Sequence, residues 1–390
     1  MEEEEERPMS KKIPVYAWYF PNWHPDPRND LWHGKNWTEW EGLKHAAPRF
    51  PGHNLYHPLW GYADESDPRV MEQKIDAALS YGVEGFFWDF YWFGDGFGEG
   101  ETKGSYRLRA LNEGFFGAKN NEKMKIALLW CNHDPIYVHP AAYRDAGRCL
   151  LSGKITPQLF HDVTQYMIRH YFWRENYLRV DGRLYFIFWM PERLIEDMGG
   201  PDGARMALED FRARVRQAGL GEMYLAGVSS NLGGTREHAN AVCRQLGLDG
   251  VVSYSWPIDP EEPERYAWPA YPYETYMRQG IETFQKDTAR FDLPVNITVS
   301  QGWDSSPRTV PSDQYDPIGY PFSWIVDKKD PAEFERALRA AKAFAQSERF
   351  TGDFITLSTW NEWTEGNFLE PSVEDGFAYL EAVKRVFGEE

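Results

Sequence analysis

Two glutamates near the end of the chain have the type and spacing that acid–base chemistry requires. Glu362 and Glu365 lie three residues apart within residues 358–371, and Trp360 and Trp363 flank them. In an extended strand such a pair points to opposite faces, whereas a turn brings both side chains together. Aromatic walls would exclude water and raise the pKa of at least one carboxyl group, as an acid catalyst near neutral pH needs. The alternative is a helix N-terminus, where glutamates interact favourably with the dipole.

The composition favours a glycan-like ligand over nucleic acid. Aromatic residues make up 16% of the 390 residues and include 17 Trp. So many rings exceed what a core needs and suit a surface that stacks on sugar rings. The net charge is −18 and stays strongly negative without the glutamates at positions 2–6. Such a chain repels phosphate backbones, so we expect no nucleic-acid partner.

Other site chemistries find little support in the sequence. Cys131, Cys149 and Cys243 are sparse and lack a CxxC partner, which argues against a disulfide framework and a cysteine zinc site. Neither HExxH nor GxSxG occurs, and the glycine-rich segment at 94–100 is too acidic to hold phosphate. We therefore expect no metal and no cofactor. With no long apolar segment and an acidic start, we also expect no membrane association and a cytoplasmic location, although removal of a leader would leave the same pattern.

Alternating strand and helix patterns predict one (β/α)8 barrel. Residues 1–12 are charged and lack periodicity, so we predict a disordered acidic leader followed by a catalytic barrel over residues 13–390. The predicted strands are 13–20, 84–90, 125–131, 183–189, 223–228, 250–254, 294–299 and 353–357. The predicted helices are 67–81, 156–172, 202–218, 235–246, 273–290, 331–346 and 374–387.

Long strand-to-helix connections place the candidate site at the carboxyl end of the barrel. The connections after strands one, two, six and seven are long, whereas helix-to-strand connections are short and glycine-closed. Sites of such barrels are built on the long-loop face, where residues ending other strands would join the glutamate pair. Their rings and hydrogen-bonding groups suit a saccharide, although barrel-rim packing is the alternative for each ring alone. The predicted substrate-binding residues are Tyr19, His24, Trp37, Glu39, Trp40, Asp89, Tyr91, Trp92, Trp130, Asn132, Trp189, Glu192, Trp256, Trp303, Asp304, Arg308, Asn361 and Trp363.

Four sequence blocks carry a resemblance to a known family. They are F-P-N-W-H-P at 20–25, W-H-G-K-N-W-T-E-W at 32–40, W-D-S-S-P-R at 303–308, and W-N-E-W-T-E-G at 360–366 with L-E-P at 369–371. In this order they resemble the WbsX-like proteins, which are related to glycoside hydrolase family 99, the endo-α-mannosidases. The resemblance runs from residue 15 to the closing helix.

The resemblance implies a (β/α)8 barrel and a retaining glycosidase that uses no metal. In family 99 the motif N-E-W-H-E-G supplies both catalytic carboxylates, which correspond here to Glu362 and Glu365. The first removes the proton of the substrate's own 2-hydroxyl, which closes on C1 to form a 1,2-anhydro sugar. The second protonates the leaving oxygen and later activates water. Thr364 stands where the hydrolases have His, a departure that bears on mannosidase specificity.

From these observations we predict a retaining glycoside hydrolase that acts on α-mannoside-like or related linkages of an oligosaccharide or polysaccharide. Glu365 would be the acid/base, Glu362 the base for the 2-hydroxyl, and Asn361 would hold a carboxylate or hydroxyl in place. Predicted subsite walls are Trp40, Trp130, Trp189 and Trp256. One alternative is a glycosyltransferase or transglycosylase using the same barrel, a label that many WbsX-like proteins carry, although the chain has no nucleotide-sugar fold or DxD motif. The other is a non-catalytic glycan-binding barrel.

Overall fold

Eight parallel strands form a closed barrel in the computed structural model, which describes residues 12–388. The first strand, β1 at Val15–Tyr19, pairs with both β2 at Gly85–Trp92 and β8 at Ile355–Ser358, and this closes the sheet. Every neighbouring pair around the ring is parallel, so the predicted (β/α)8 barrel is confirmed. The strands are β1 Val15–Tyr19, β2 Gly85–Trp92, β3 Lys125–Trp130, β4 Arg183–Phe188, β5 Met223–Val228, β6 Gly250–Val252, β7 Val295–Ser300 and β8 Ile355–Ser358.

Helices surround the barrel, and most of them begin at a proline. Proline occupies the first helical position in six of those within residues 12–388, where its missing N–H costs nothing. The helices are α1 Pro27–His33, α2 Trp40–Lys44, α3 Pro68–Ser80, α4 Pro157–His170, α5 Pro191–Asp197, α6 Pro201–Gln217, α7 Arg236–Leu246, α8 Tyr273–Arg290, α9 Pro331–Ala345 and α10 Ala378–Phe387.

The structure departs from the predicted helices at four places, one of which is α5, a seven-residue helix after β4 that was not predicted. The segment after β1, for which no helix was predicted, contains the short helices α1 and α2. Between β2 and β3 the chain forms a π-helix at Ala110–Phe115. The last helix begins at Ala378 instead of residue 374, because the Ser372 hydroxyl accepts a hydrogen bond from the Asp375 N–H in a preceding turn.

Side chains alternate between the two faces of the barrel wall. Trp18 and Tyr91 belong to the cluster that fills the interior. Tyr19 and Trp130 belong to the larger cluster between the strands and the helices. Because successive strand residues point to opposite faces, this register decides which residues near a strand end can reach a site at the barrel mouth.

The acidic leader predicted at residues 1–12 lies outside the described residues, apart from residue 12. The division of the chain into a leader and a catalytic barrel stays a prediction. Of the helices between residues 12 and 388, none is long and apolar enough to cross a membrane.

Candidate active site

Glu362 and Glu365 lie on a tight hairpin directly after β8. Asn361–Glu362 pairs with Asn367–Phe368 as a short antiparallel ladder, and a single 3-10 turn joins the two. Gly366 ends this turn with a φ of 60°, a left-handed conformation that favours glycine. The predicted turn is therefore present. Both carboxyl groups are buried, with 5% and 7% of their residues' surface exposed, and both line one cavity.

Arg308 connects the pair to a third carboxylate. Its Nη1 donates to Glu365 Oε1, and its Nη2 donates to Glu362 Oε1 at 3.3 Å and to Glu39 Oε1 at 2.8 Å. All four groups are buried. Three buried carboxylates cannot all be ionised cheaply beside one cation, since each charge has lost its hydration. At least one of the three must retain a proton near neutral pH.

The surroundings decide which carboxylate is protonated. Burial raises the pKa of Glu362 well above its ordinary value, and the charge of Glu365 raises it further. Burial also acts to raise the pKa of Glu39, but Arg308 and His139 outweigh it and lower that pKa to about 2. Glu39 is therefore ionised, and the raised pKa of Glu362 favours its protonated form. An acid and a base thus sit side by side on one turn.

Two tyrosines complete the hydrogen bonding of the pair. The Tyr320 hydroxyl donates to Glu365 Oε1 at 2.7 Å. The Tyr254 hydroxyl lies 3.2 Å from Glu362 Oε2 and 3.3 Å from Asp89 Oδ2, so it can donate to either. Burial raises the pKa of Asp89 to about 8 despite the opposing effects of Tyr254 and Arg107. Asp89 is therefore mostly uncharged at neutral pH.

Replacing Asp89 by Asn should stabilise the protein more at pH 8 than at pH 5. In the unfolded chain Asp ionises near pH 3.9, roughly, but the folded protein keeps this proton up to about pH 8. Because the unfolded state binds fewer protons across that window, the stability of the wild type falls as pH rises. Melting temperatures of wild type and variant at both pH values test this. The exposed substitution Asp202→Asn is the control, and a wild-type-to-D89N difference that does not widen would contradict the raised pKa.

The carboxylate pair opens into a cavity of about 670 Å³. This volume lies within the range of roughly 300–1,000 Å³ that is usual for small-molecule sites. Its lining mixes aromatic rings with a few charged and hydroxyl groups, which is the chemistry predicted for a saccharide. Of the residues predicted from the sequence, the lining includes Asp89, Tyr91, Trp189, Trp256, Trp303, Arg308, Glu362 and Glu365.

The other predicted residues lie away from the cavity lining: Tyr19, His24, Trp37, Glu39, Trp40, Trp92, Trp130, Asn132, Glu192, Asp304, Asn361 and Trp363. Three of them, Tyr19, Trp92 and Trp130, occupy the outer register of their strands. Trp130, predicted as a subsite wall, stacks on Phe160 of α4 at 5.7 Å, and the indole of Trp40 donates to the Ala63 carbonyl. Of the four predicted walls, Trp189 and Trp256 are the two that reach the cavity.

The loop residues in this set, and Glu192 in the first turn of α5, make contacts that support the protein around the cavity. Asn132 donates to the Met190 carbonyl, and Glu192 Oε1 lies 3.3 Å from His238 Nε2. His24 contacts a buried glutamate, Glu65, and Asp304 contacts His53 at 2.9 Å. Trp37 packs on the rings of His33 and His139.

Asn361 and Trp363 anchor the hairpin that carries the two glutamates. The Asn361 side chain makes two hydrogen bonds of 2.9 Å to the backbone of Phe20, which follows β1. Trp363 Nε1 donates to Glu370 Oε2 at 2.7 Å, and the other carboxylate oxygen contacts Lys74 Nζ at 2.8 Å. These buried contacts fix the turn on both sides, so the two glutamates are held in position before any ligand binds.

Thr364, the residue between the two glutamates that departs from the hydrolase motif, does not face the cavity. Its buried hydroxyl donates to Glu39 Oε1 and accepts from Arg308 Nε at 2.9 Å. Replacing Thr364 by Val should therefore lower the free energy of unfolding by about 1–3 kcal/mol, because two buried groups lose a partner. Urea unfolding measures this change. Thr364→Ser keeps the hydroxyl and should cost clearly less, and equal losses for the two variants would rule out this role.

Several cavity residues were not predicted from the sequence. Arg107 and Tyr320 lie on the long connections after β2 and β7. Phe20 is another residue that was missed, but strand alternation could have indicated it, because it follows the inward-facing Tyr16 and Trp18 at alternate positions. The loop residues carry no periodic signal. The lining residues missed include Phe20, His33, Tyr106, Arg107, His139 and Tyr320.

Comparison with known proteins decides the family. The sequence model of the family described as glycosyltransferase WbsX matches residues 15–383. The chain belongs to the WbsX family. Two curated relatives from strains of Xanthomonas campestris pv. campestris, both named uncharacterized protein WxcX, are each 25% identical to this WbsX-family chain over 396 aligned residues and 97% of its length. The chain spans 50% of the length of each relative.

Solved structures similar to this WbsX-family chain are barrels of glycosidases. An endo-α-mannosidase of family 99 from Bacteroides thetaiotaomicron has a TM-score of 0.55 and 14% identity, with 92% of this chain and 88% of that one covered. A glycoside hydrolase-like protein has a TM-score of 0.61 and 16% identity over 97% and 95% of the two chains. A family 1 β-glucosidase from Thermotoga maritima has a TM-score of 0.51 and 10% identity over 97% and 99%. These likenesses show a shared fold, and with the family match they confirm the resemblance to WbsX-like proteins related to family 99.

Proposed function

We propose that this protein is a retaining glycoside hydrolase that acts on α-mannoside-like or related glycan linkages. The observation that carries the proposal is the pair Glu362 and Glu365, buried on one turn, sharing Arg308 and lining a cavity of about 670 Å³. Two carboxyl groups held beside one cavity can supply the proton donor and the proton acceptor that cleavage of a glycosidic bond needs.

The pair can cleave a glycosidic bond without attacking the sugar itself. Glu362 removes the proton of the substrate's 2-hydroxyl, and that oxygen forms a bond to C1 while the bond from C1 to the leaving oxygen breaks. Glu365 gives its proton to the leaving oxygen. Water then attacks C1, Glu365 takes a proton from this water, and the 2-oxygen recovers its proton from Glu362 as the three-membered ring opens. Two displacements at C1 retain its configuration, and α-manno sugars suit this route because their axial 2-hydroxyl is trans to the leaving group.

The proposed reaction starts with the proton on Glu365, so binding of the substrate must move a proton from Glu362 to Glu365. In the empty cavity the proton rests on Glu362, whose pKa is raised by burial and by the charge of Glu365. A bound 2-hydroxyl donates a hydrogen bond and stabilises an ionised Glu362, whereas the leaving oxygen only accepts and requires a protonated Glu365. The substrate itself therefore favours the proton arrangement from which the reaction starts.

Rings around the pair support a saccharide as the ligand. Trp189 contacts Tyr254 edge to face at 4.7 Å, and Tyr254 in turn contacts Glu362. Such rings offer apolar faces to the C–H faces of a sugar and exclude water from the carboxylates. A dry cavity strengthens every charge interaction that forms along the reaction path.

The proposed hydrolysis is tested by product analysis on a panel of defined α-linked mannooligosaccharides, with an added acceptor sugar in half of the reactions. Hydrolysis predicts release of a free reducing sugar in both halves. The alternative is a transferase or transglycosylase, which the family's description favours, and it predicts a new glycoside that forms only with the acceptor. The double variant Glu362→Gln with Glu365→Gln is the control, and product formation that survives in it would refute the proposed site.

A further inference from the structure

The cavity contains a second buried arginine whose charge is not paired. Arg107 is 8% exposed and lines the same cavity as the glutamate pair. Arg308 contacts three carboxylates, whereas no carboxylate within residues 12–388 comes within ion-pair distance of Arg107. Its buried Nε also has no hydrogen-bond acceptor. A buried cation without a partner is costly and is retained where it serves a purpose.

Three aromatic rings surround this guanidinium. Its Cζ lies 4.6 Å from the ring centre of Phe20, 4.6 Å from that of Tyr91 and 4.3 Å from that of Tyr106. Ring faces attract the cation but supply few acceptors for its five N–H donors. The hydrogen-bonding capacity that remains is therefore available to a ligand in the cavity.

The loop after β2 holds Arg107 in a fixed backbone conformation. Its φ is 65°, in the left-handed region that residues with a side chain seldom adopt. Its N–H donates to Asp26 Oδ2 at 2.9 Å, and the same carboxylate caps α1 through the N–H of Arg28. The guanidinium is thus positioned before a ligand arrives, which reduces the entropic cost of binding.

We propose that Arg107 binds an anionic group of the glycan substrate, either a carboxylate or a phosphate ester. The planar guanidinium matches both oxyanions with paired hydrogen bonds. The Phe20 ring lies 4.6 Å from Arg107 Cζ and 5.3 Å from Arg308 Cζ, so the anion would bind beside the group that contacts the catalytic pair. The inference rests on the proposed function only in taking the ligand to be a glycan.

A purely electrostatic role for Arg107 makes a different prediction. Its charge also acts at longer range to lower the pKa values of Glu39 and Asp89. If this electrostatic effect were the whole role of Arg107, removing Arg107 would weaken the binding of neutral and anionic ligands alike. If Arg107 instead contacts the ligand's own charge, removing Arg107 would weaken the binding of anionic ligands alone. The net charge of −18 repels anions at long range, so a preference for them must come from a contact within the cavity and should persist at 0.15 M salt, where screening acts beyond about 8 Å. Since Arg290 and Arg308 also line the cavity, substitution of Arg107 is needed to assign the contact.

The test is a ligand-observed NMR titration that requires no turnover, with D-mannose, D-mannuronate and D-mannose 6-phosphate as probes. Wild-type protein should bind at least one anionic probe about 10-fold or more tightly than mannose, the effect of a charged hydrogen bond. Arg107→Gln should remove that preference and leave mannose within about twofold, whereas Arg107→Lys should keep part of it. The tighter of the two anionic probes identifies whether the group is a carboxylate or a phosphate ester.

Control variants separate this inference from a structural effect. Arg174 also stacks on a ring, Phe116 at 3.5 Å, but lies outside the cavity, so Arg174→Gln should keep the anion preference. Equal affinity of the wild type for all three probes would overturn the inference, as would an equal loss for all three in Arg107→Gln. If that variant does not fold, the wild-type comparison and Arg107→Lys still decide. Since only binding is measured, absence of hydrolysis would refute the proposed function and leave this result standing.

Discussion

Replacing Glu365 by Gln should slow cleavage of an α-linked disaccharide by at least about 100-fold, the usual contribution of a general acid. The sugar leaving group of a disaccharide is a poor one and needs a proton, which in the proposed mechanism comes from Glu365. A nitrophenolate leaves without protonation, so the same variant should cleave a nitrophenyl glycoside with a much smaller loss in its bond-breaking step. Measurement of kcat/KM on the two substrates gives the difference directly.

Glu362→Gln is the matched control for that prediction. It removes the proposed base for the 2-hydroxyl proton, whose removal both substrates would need, so its losses should be similar on the two. Full activity of Glu365→Gln on the disaccharide would end the assignment of Glu365 as acid. A reversed pattern, with Glu362→Gln as the variant that is sensitive to the leaving group, would exchange the two roles.

Replacing Arg308 by Gln should lower the free energy of unfolding by about 3–5 kcal/mol and abolish activity, because it leaves Glu39, Glu362 and Glu365 buried without their shared cation. The deficit should depend on pH. Arg308 helps hold the pKa of Glu39 at about 2, below the unfolded value of about 4.3, so its stabilisation is present above pH 4.3 or so and is lost as pH falls. Urea unfolding at pH 7 and at pH 3.5 should therefore give a larger deficit at pH 7.

Two further variants control for this result. Arg385 forms an exposed ion pair with Glu335 at 2.6 Å, and Arg385→Gln should cost at most about 1 kcal/mol. Adding Glu39→Gln to Arg308→Gln removes one buried carboxylate that has lost its cation, so the double variant should recover part of the stability. A deficit for Arg308→Gln no larger than that for Arg385→Gln would contradict the account of the buried cluster.

The barrel could be predicted because its signals are local. Predicted strand 223–228 matches Met223–Val228, and the helix predicted at 235–246 matches Arg236–Leu246, each bounded by a capping residue or a glycine. Helices α1 and α2 were missed because they are only seven and five residues long and lie in a proline-rich segment without an apolar stripe. Tertiary contacts determine such short helices more than sequence period does.

The site was predictable in part, for reasons that differ between residues. Glu362 and Glu365 are neighbours in sequence, so a single turn was enough to bring them together. Tyr91 and Trp92 both lie at the end of β2, yet they point to opposite faces of the barrel wall. Strand alternation would have kept Tyr91 as a cavity residue and excluded Trp92. Arg107 reaches the cavity through a left-handed backbone conformation within a long loop, which no period in the sequence encodes.

The contacts of Thr364 add a second effect to the motif difference at this position. From the sequence it bears on mannosidase specificity, since it replaces a histidine of the hydrolases. In the structure its hydroxyl contacts Glu39 and Arg308 instead of the cavity. Its direct effect is on the position of Arg308, and through Arg308 on the glutamate pair.

The central claim is that Glu362 and Glu365 cleave a glycan through two successive displacements at C1. The most direct test is the configuration of the sugar first released from an α-linked mannooligosaccharide, observed by proton NMR in the first minutes, before mutarotation mixes the anomers. The account predicts the α-anomer. Initial release of the β-anomer would mean a single displacement by water and would contradict it.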